Sequence, residues 1–290
     1  MTYAEGVARV RGFTAAERGL NPVCSYGLIE NGRRAERAIV LLHGFTSCPK
    51  MYEPLAAELA RAGANVVIPR LPHHGLANRM TPELKELSAD EMAAVAFEAV
   101  EIAAALGEKV TVAGISLGGV LTAWLAQFCE GIDRAVVIAP LFSIPVVPEW
   151  FSDLLGLVAD RVPNFYLWWD QKAKADPPGP PYGYPRFPSH GYGEMLKLAH
   201  EVKIAARREP AKTGDIRVVV NAADPAVNNE ATFRVGVAWR QHGATVRTYE
   251  FARRLELGHD IISPDQPYAR TELTYPVLID WIVADVPSSV

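Results

Sequence analysis

Ser116 lies in a pattern that could supply a catalytic nucleophile. The stretch Gly114-Ile115-Ser116-Leu117-Gly118 follows an apolar run and precedes a helical pattern. Glycines on both sides of a serine allow a strand to turn abruptly into a helix and to raise the hydroxyl above the sheet edge. A serine hydroxyl is a weak nucleophile, so it needs a base, a group that orients the base and an oxyanion site. Alone, the pattern is equally compatible with a polar residue at an ordinary junction.

The base and its orienting acid are expected late in the chain. His259 in ELGHDIISP comes after the predicted strand TVRTYEF, and Asp224 in NAADPAVN comes after the predicted strand DIRVVVNA. We expect His259 to take the serine proton and Asp224 to hold the imidazole. Taken singly, an aspartate before a proline is also typical of a turn, and His259 could be a solvated loop residue. Asp260 adjoins the histidine and Asp265 follows closely, but neither ends a predicted strand, so Asp224 is the first choice and Asp265 the second.

The stretch AIVLLHG ends in His43-Gly44-Phe45, where glycine would let the backbone approach a ligand closely. Together with GISLGG, the late aspartate and the late Gly-His pair, this pattern resembles the α/β-hydrolase superfamily. It is most similar to the bacterial carboxylesterase and monoacylglycerol-lipase-like (serine-aminopeptidase-like) branch. PRLPHHG at residues 69–75 also resembles that branch, which usually has Gly-His-Gly there.

The resemblance covers roughly residues 36–140 and 211–285. It implies that the backbone N–H groups of Phe45 and Leu117 form the oxyanion hole. Epoxide hydrolases and haloalkane dehalogenases of the same superfamily carry an aspartate where this chain has Ser116, so the resemblance disfavours those activities.

Six short apolar runs predict the strands that must position these residues. The first four are dense in valine and isoleucine and lack clean alternation, as expected for strands buried on both faces. The runs are 38–44, 65–70, 109–115, 134–140, 215–222 and 245–251. Helical patterns separate them, one opening with a capping box at Ser88 and Glu91 and another closing at Gly63. Strand–helix alternation of this kind predicts an α/β fold with a mostly parallel central sheet flanked by helices.

Residues 141–210 interrupt this alternation with a proline-rich run and two helical patterns. We expect an α/β core over 1–140 and 211–290 and a helical cap over 141–210, rather than an irregular linker. Phe142, Trp168 and Trp169 are candidate substrate-binding residues, with packing inside the cap as the alternative.

The bulk composition argues against several functional classes. The 290 residues carry a net charge of −4, which gives no electrostatic case for nucleic acid or for an anionic membrane. No window approaches the apolar length needed to span a bilayer, and the N-terminal stretch predicts no signal peptide. The expectation is a cytoplasmic protein that acts on a small molecule; the oligomeric state is left open.

The cysteines and the remaining histidines suggest no cofactor. Cys24, Cys48 and Cys129 show no metal-ligand spacing, and reduced thiols fit them best. His73 and His74 lack an acidic or thiol partner nearby in sequence, so we expect neither a metal nor an organic cofactor.

We therefore predict a serine hydrolase that cleaves carboxylic esters of short to medium acyl chains, or monoacylglycerol-like esters, through an acyl-enzyme. Thioesterase, peptidase and carbon–carbon bond hydrolase activities share this machinery and stay open. A non-catalytic ligand-binding protein on the same fold is the rival from a different class.

Overall fold

The computed structural model describes residues 1–16, 19–172, 174 and 179–287. Its strands are β1 Gly27–Ile29, β2 Ala35–Leu42, β3 Asn65–Ile68, β4 Gly107–Ile115, β5 Arg134–Ile138, β6 Tyr166–Trp168, β7 Arg186–Pro188, β8 Asp215–Asn221 and β9 Thr245–Phe251. Its helices are α1 Tyr3–Ala16, α2 Glu53–Arg61, α3 Ala89–Leu106, α4 Leu117–Phe128, α5 Glu149–Val158, α6 Ser189–Arg208, α7 Asn229–Gln241 and α8 Thr271–Val283. Short 3-10 turns lie at Pro22–Cys24, Pro49–Tyr52, Glu83–Glu86, Ala159–Arg161 and Arg253–Leu255.

Seven strands form the central sheet in the order β1-β3-β2-β4-β5-β8-β9. Only the edge strand β1 pairs antiparallel among these described strands, and all other neighbours are parallel. The predicted parallel α/β sheet is therefore confirmed. Because the strands run in one direction, the loops after β2, β4, β8 and β9 emerge at the same edge, as expected for a site in an open α/β sheet.

Burial explains why the apolar runs form the middle of the sheet. Residues 38–42 of β2 and 135–138 of β5 are fully buried, so these strands contact helices on both faces. The helices flank the sheet in two groups: α2 packs against α8, and α3, α4, α6 and α7 pack in series. The capping box of α3 is present, since the Ser88 side chain accepts from the Glu91 N–H and the Glu91 side chain accepts from the Ser88 N–H.

Two elements near the N-terminus lie outside the predicted pattern. Helix α1 packs against α3, and its buried hydrophobic side chains are Val7 and Val10, too few to give a clear helical period. Strand β1 has three half-buried residues and adds to the edge of the sheet beside β3.

The predicted inserted unit, residues 141–210, has two parts with different packing. Helix α6 packs against α5 and also along α4 and α7, so it joins the rest of this unit to the helical layer beside the sheet. The Trp124 Nε1–H of α4 donates to the Glu201 carboxylate of α6 at 3.1 Å. Residues 141–188, hereafter the insertion, contain α5 and the antiparallel hairpin of β6 and β7. The proline-rich run lies partly outside the described residues.

One expectation about the cysteines is wrong. Cys24 and Cys48 form a disulfide, with their Cα atoms 5.4 Å apart, whereas reduced thiols were expected. The turn containing Cys24 packs against the turn that follows Cys48, a tertiary contact with no signature in the spacing of the cysteines. Cys129 is buried and free of a disulfide.

Among the helices of the described residues, none is both long and apolar enough to cross a membrane.

Candidate active site

Ser116 stands at an abrupt turn between β4 and α4. Its backbone has φ +59° and ψ −114°, a conformation that is rare for a residue with a side chain. The turn is held by neighbouring backbone groups: the Ser116 N–H donates to the Ile138 carbonyl at 3.0 Å, and the Ser116 carbonyl accepts from Val120 N–H at 3.0 Å. The side chain therefore sits at the edge of the sheet, where the parallel strands end.

The glycines around Ser116 are required by close packing. A Cβ on Gly114 would overlap the Gly118 carbonyl, and a Cβ on Gly118 would overlap the Leu42 carbonyl. A Cβ on Gly119 would lie 2.7 Å from the Ile138 carbonyl oxygen. The first turn of α4 can approach the sheet only because these positions have no side chain.

Asp224 and His259 form a hydrogen-bonded pair. Asp224 Oδ2 lies 2.8 Å from His259 Nδ1, and Asp224 Oδ1 accepts from the Ala226 N–H at 2.8 Å. The Asp224 side chain is fully buried, while that of His259 is 22% exposed. Both carboxylate oxygens are thus engaged, and the second imidazole nitrogen of His259 is left for another partner.

The pKa of His259 reflects two opposing effects. Burial lowers this pKa, but the hydrogen bond and the charge of Asp224, helped by the charge of Asp260, raise it above its ordinary value. The imidazolium form is therefore stabilised, as required of a base that carries a proton during a reaction.

The alternative acids have other partners. Asp260 accepts from the N–H groups of Ile262 and Ser263 and from the Gln266 side-chain amide, so it shapes the loop after His259. The Asp265 N–H donates to the Ser263 hydroxyl at 3.3 Å. Neither carboxylate is hydrogen-bonded to the His259 ring, in contrast to Asp224.

The loop after β2 lies beside Ser116. A Cβ on Gly44 would be 3.7 Å from the Ser116 Cβ. Within the described part of the chain, the N–H groups of Phe45 and Leu117 donate to no protein acceptor. Two free N–H donors beside a serine hydroxyl could donate hydrogen bonds to a carbonyl oxygen on which negative charge develops, and so stabilise that charge.

His43 holds this loop instead of facing the serine as a base. Its Nε2 accepts from the Leu71 N–H at 3.0 Å, so Nδ1 carries the proton and donates to the Gly44 carbonyl at 2.9 Å. Burial lowers the pKa of His43 to about 4, which keeps the ring neutral.

The neighbouring histidines also have structural contacts. His74 is buried against Phe45, with Nδ1 2.7 Å from the Pro72 carbonyl, and burial holds its pKa well below the ordinary value. His73 lies 3.6 Å from a Glu83 carboxylate oxygen and 3.7 Å from one of Glu91, partners distant in sequence. Among the described residues, no group of three or more potential metal-ligating side chains is arranged to hold a metal ion.

Ser116 and His259 open onto one cavity of about 1060 Å³, large enough for a ligand with an extended acyl chain. Apolar side chains form much of its wall, among them Met51, Leu141, Tyr192 and Met195.

The three predicted substrate-binding residues lie in different surroundings. Trp169 lines the cavity, whereas Phe142 and Trp168 do not occur among the described residues of its wall. Phe142 is fully buried in the core, and its carbonyl accepts from the buried Lys203 ammonium at 2.9 Å. Trp168 contacts the Lys174 ammonium, 5.6 Å from its ring centroid. Consecutive side chains of an extended segment point to opposite sides, which separates these two adjacent tryptophans.

Comparison with known proteins identifies the family of this chain. The family model described as "Alpha/beta hydrolase family" matches residues 39–272. The chain belongs to this family. The resemblance inferred from its motifs is therefore confirmed.

Individual relatives of this α/β-hydrolase include lipolytic enzymes. The chain is 31% identical over 109 residues to a thermostable monoacylglycerol lipase of Bacillus sp. (strain H-257), a match that spans 38% of this chain and 42% of that enzyme. Less than half of that curated relative's length is thus matched.

Two solved structures share the fold over most of both chains. One comes from work on LipS and LipT, metagenome-derived lipolytic enzymes, with 21% identity, a TM-score of 0.67 and coverage of 91% of this chain and 98% of the other. The other is a monoacylglycerol lipase of Paleococcus ferrophilus, with 20% identity, a TM-score of 0.64 and coverage of 89% and 98%.

One residue of the site was missed by the motif analysis. Asn221, the last residue of β8, is fully buried and donates its side-chain amide to the carbonyls of Leu257 and Gly258 at 2.9 and 3.0 Å. Its side-chain oxygen accepts from the Ala223 N–H at 3.0 Å. Asn221 therefore joins the loop of Asp224 to the loop of His259. A polar residue at the end of an otherwise apolar strand is the sequence signal that marks it.

We expect Asn221→Ala to destabilise this protein by about 2–4 kcal/mol, because two carbonyls and one N–H lose buried partners. The exposed Asn78→Ala is the control and should change the free energy of unfolding by less than about 1 kcal/mol. Urea denaturation of both variants measures the difference. Equal stability of the two variants would show that Asn221 does not hold the loops together.

Proposed function

We propose that this protein hydrolyses carboxylic esters, with Ser116 as nucleophile, His259 as general base and Asp224 as the acid that orients it. One observation carries the proposal: His259, which is hydrogen-bonded to Asp224, lines the same cavity as Ser116, the serine at the turn between β4 and α4. The order of the three residues along the chain is that of the α/β-hydrolases.

The proposed reaction proceeds through an acyl-enzyme. His259 Nε2 takes the Ser116 proton as the oxygen attacks the ester carbonyl, and the N–H groups of Phe45 and Leu117 hold the resulting oxyanion. Collapse of the tetrahedral intermediate breaks the bond to the alcohol, which leaves with the proton from His259. Water then attacks the acyl-enzyme with the same base, releasing the acid and restoring Ser116. The mechanism uses no metal ion and no organic cofactor.

The cavity supports an ester with a substantial apolar group. Its wall includes the apolar side chains of Met51, Leu141 and Met195. We propose short to medium acyl chains or monoacylglycerol-like esters as substrates, in keeping with the relatives named as monoacylglycerol lipases. Thioesters, amides and activated carbon–carbon bonds could be cleaved by the same three residues and remain alternatives.

The insertion is proposed to act as a cap over the site. Trp169, Tyr184 and Pro185 from the insertion line the cavity together with residues of the loops at the sheet edge. Its role would be to shape the substrate pocket while the core supplies the reacting groups.

A cytoplasmic location also stays a prediction. The Cys24–Cys48 disulfide does not support that location, because disulfides are rare in the reducing cytosol.

The proposed activity is tested with p-nitrophenyl esters of graded acyl length. Wild type should hydrolyse them, and Ser116→Ala should lower kcat by at least about 10⁴-fold because the nucleophile is lost. Ser25 is not among the described residues of the cavity wall, so Ser25→Ala serves as the control and should keep wild-type turnover. If wild type is inert toward esters, thioesters and amides, the hydrolase proposal is wrong. If Ser116→Ala keeps full activity, Ser116 is not the nucleophile.

The pH dependence tests the role of Asp224. Because His259 must be neutral to accept a proton and its pKa is raised, kcat/KM should fall as pH decreases through a value above that of a free histidine. Asp224→Asn removes the carboxylate whose hydrogen bond and charge raise the pKa of His259, while burial continues to lower that pKa. The acidic limb should therefore move to lower pH, and kcat should fall about 10⁴-fold.

Asp265→Asn is the matched control, and it should leave both kcat and the pH of the acidic limb of kcat/KM unchanged. The opposite result, a mild effect of Asp224→Asn and a severe effect of Asp265→Asn, would assign the acid to Asp265.

A further inference from the structure

Thr46, directly after the proposed oxyanion donor Phe45, is held by an unusual set of contacts. It is buried, with φ +63°, a region that β-branched residues rarely adopt. Its hydroxyl donates to the Phe45 carbonyl at 2.6 Å and accepts from the Trp169 Nε1–H at 2.8 Å. Its carbonyl accepts from the Tyr184 N–H at 2.8 Å. A hydroxyl has one donor and two acceptor positions, so both of its bonds can form together.

These contacts restrain the backbone of Phe45 from both sides. The peptide group before its Cα is held through the Gly44 carbonyl, which accepts from His43 Nδ1–H and, at 3.2 Å, from the Ser47 N–H. The peptide group after its Cα is held through the Phe45 carbonyl by the Thr46 hydroxyl. Two fixed peptide planes determine φ and ψ of the residue between them, so the direction of the Phe45 N–H is set.

The insertion supplies the outer half of this restraint. Trp169 and Tyr184 both belong to the insertion, and the backbone N–H of Trp169 donates to the Pro185 carbonyl at 3.2 Å. The Trp169 ring packs on Phe187 with centroids 4.3 Å apart, and Phe187 packs on the Phe45 ring with centroids 5.9 Å apart. The insertion thus contacts the loop after β2 by hydrogen bonds and by aromatic packing.

We propose that Thr46 is a positioning residue through which the insertion, by the Trp169 indole N–H, orients the Phe45 N–H of the oxyanion hole. The inference rests on the proposed ester hydrolysis. It gives the insertion a role in turnover in addition to pocket shape. Disturbing the Trp169–Thr46 bond should then slow the reaction even of a substrate too small to fill the cavity.

A purely pocket-forming role for Trp169 makes a different prediction. In that case its replacement would raise KM for long acyl chains and leave kcat for acetate esters unchanged. The two roles are therefore separated by a short substrate and by the division of the effect between kcat and KM.

The experiment measures kcat and KM on p-nitrophenyl acetate for Thr46→Val, Thr46→Ser, Trp169→Phe and the double variant Thr46→Val/Trp169→Phe. Thr46→Val keeps the branched shape and loses both hydroxyl bonds, so kcat should fall about 10- to 50-fold, less than the roughly 10²–10³-fold cost of losing a whole oxyanion donor. Trp169→Phe keeps an aromatic ring on Phe187 and should lower kcat about 5- to 10-fold. Thr46→Ser retains the hydroxyl and should restore kcat to within about threefold of wild type.

The double variant should be no slower than Thr46→Val, because both changes remove the same bond. Trp124→Phe removes another indole N–H bond between two packed elements, away from the cavity, and should keep wild-type kcat. Thermal melting of each variant identifies a loss of folded protein, and Trp169→Phe keeps the test decisive if Thr46→Val unfolds, because it removes the Trp169–Thr46 bond without changing Thr46.

Unchanged kcat in Thr46→Val or Trp169→Phe, effects on KM alone, or multiplicative losses in the double variant would each overturn the inference. These outcomes leave ester hydrolysis intact as long as wild type is active and Ser116→Ala is not. An inert wild type would instead overturn the proposed function, and the inference with it.

Discussion

A serine held at φ +59° costs conformational free energy of order 1–3 kcal/mol, which the surrounding structure must offset. The compensation comes from the sheet. The Ser116 N–H bonds to the end of β5, and the first turn of α4 packs directly on the carbonyls at the ends of β2 and β5. This close approach depends on Gly114, Gly118 and Gly119. The remaining parts of the site follow from it, because parallel strands deliver their loops to the edge where Ser116 stands.

The parts of the fold predictable from sequence are those with a short-range signature. Valine- and isoleucine-rich runs mark the central strands because a strand buried on both faces tolerates little else. The elbow glycines, Asp224 and His259 were found because each stands directly after such a run or in the loop that follows it. The hydrogen bond between Asp224 and His259 distinguishes Asp224 from Asp260 and Asp265, which the sequence alone left as alternatives.

The rest depends on contacts between residues far apart in the chain. The Cys24–Cys48 disulfide, the links from Asn221 to the His259 loop and the contact of Trp169 with Thr46 all need the folded structure. Composition could not separate Trp168 from Trp169, since their difference arises from the alternation of side chains along an extended segment. The packing of helix α6 against α5 of the insertion and against α4 and α7 also has no signature in its sequence.

Covalent labelling tests the central claim, a Ser116 activated by His259, most directly. Wild type, Ser116→Ala and His259→Gln are treated with an alkyl fluorophosphonate, digested and mapped by mass spectrometry. The account predicts one phosphonyl group on the peptide of Ser116 in wild type, none in Ser116→Ala and much slower labelling in His259→Gln. A label on Ser47, which lines the same cavity, or no label on wild type would contradict it.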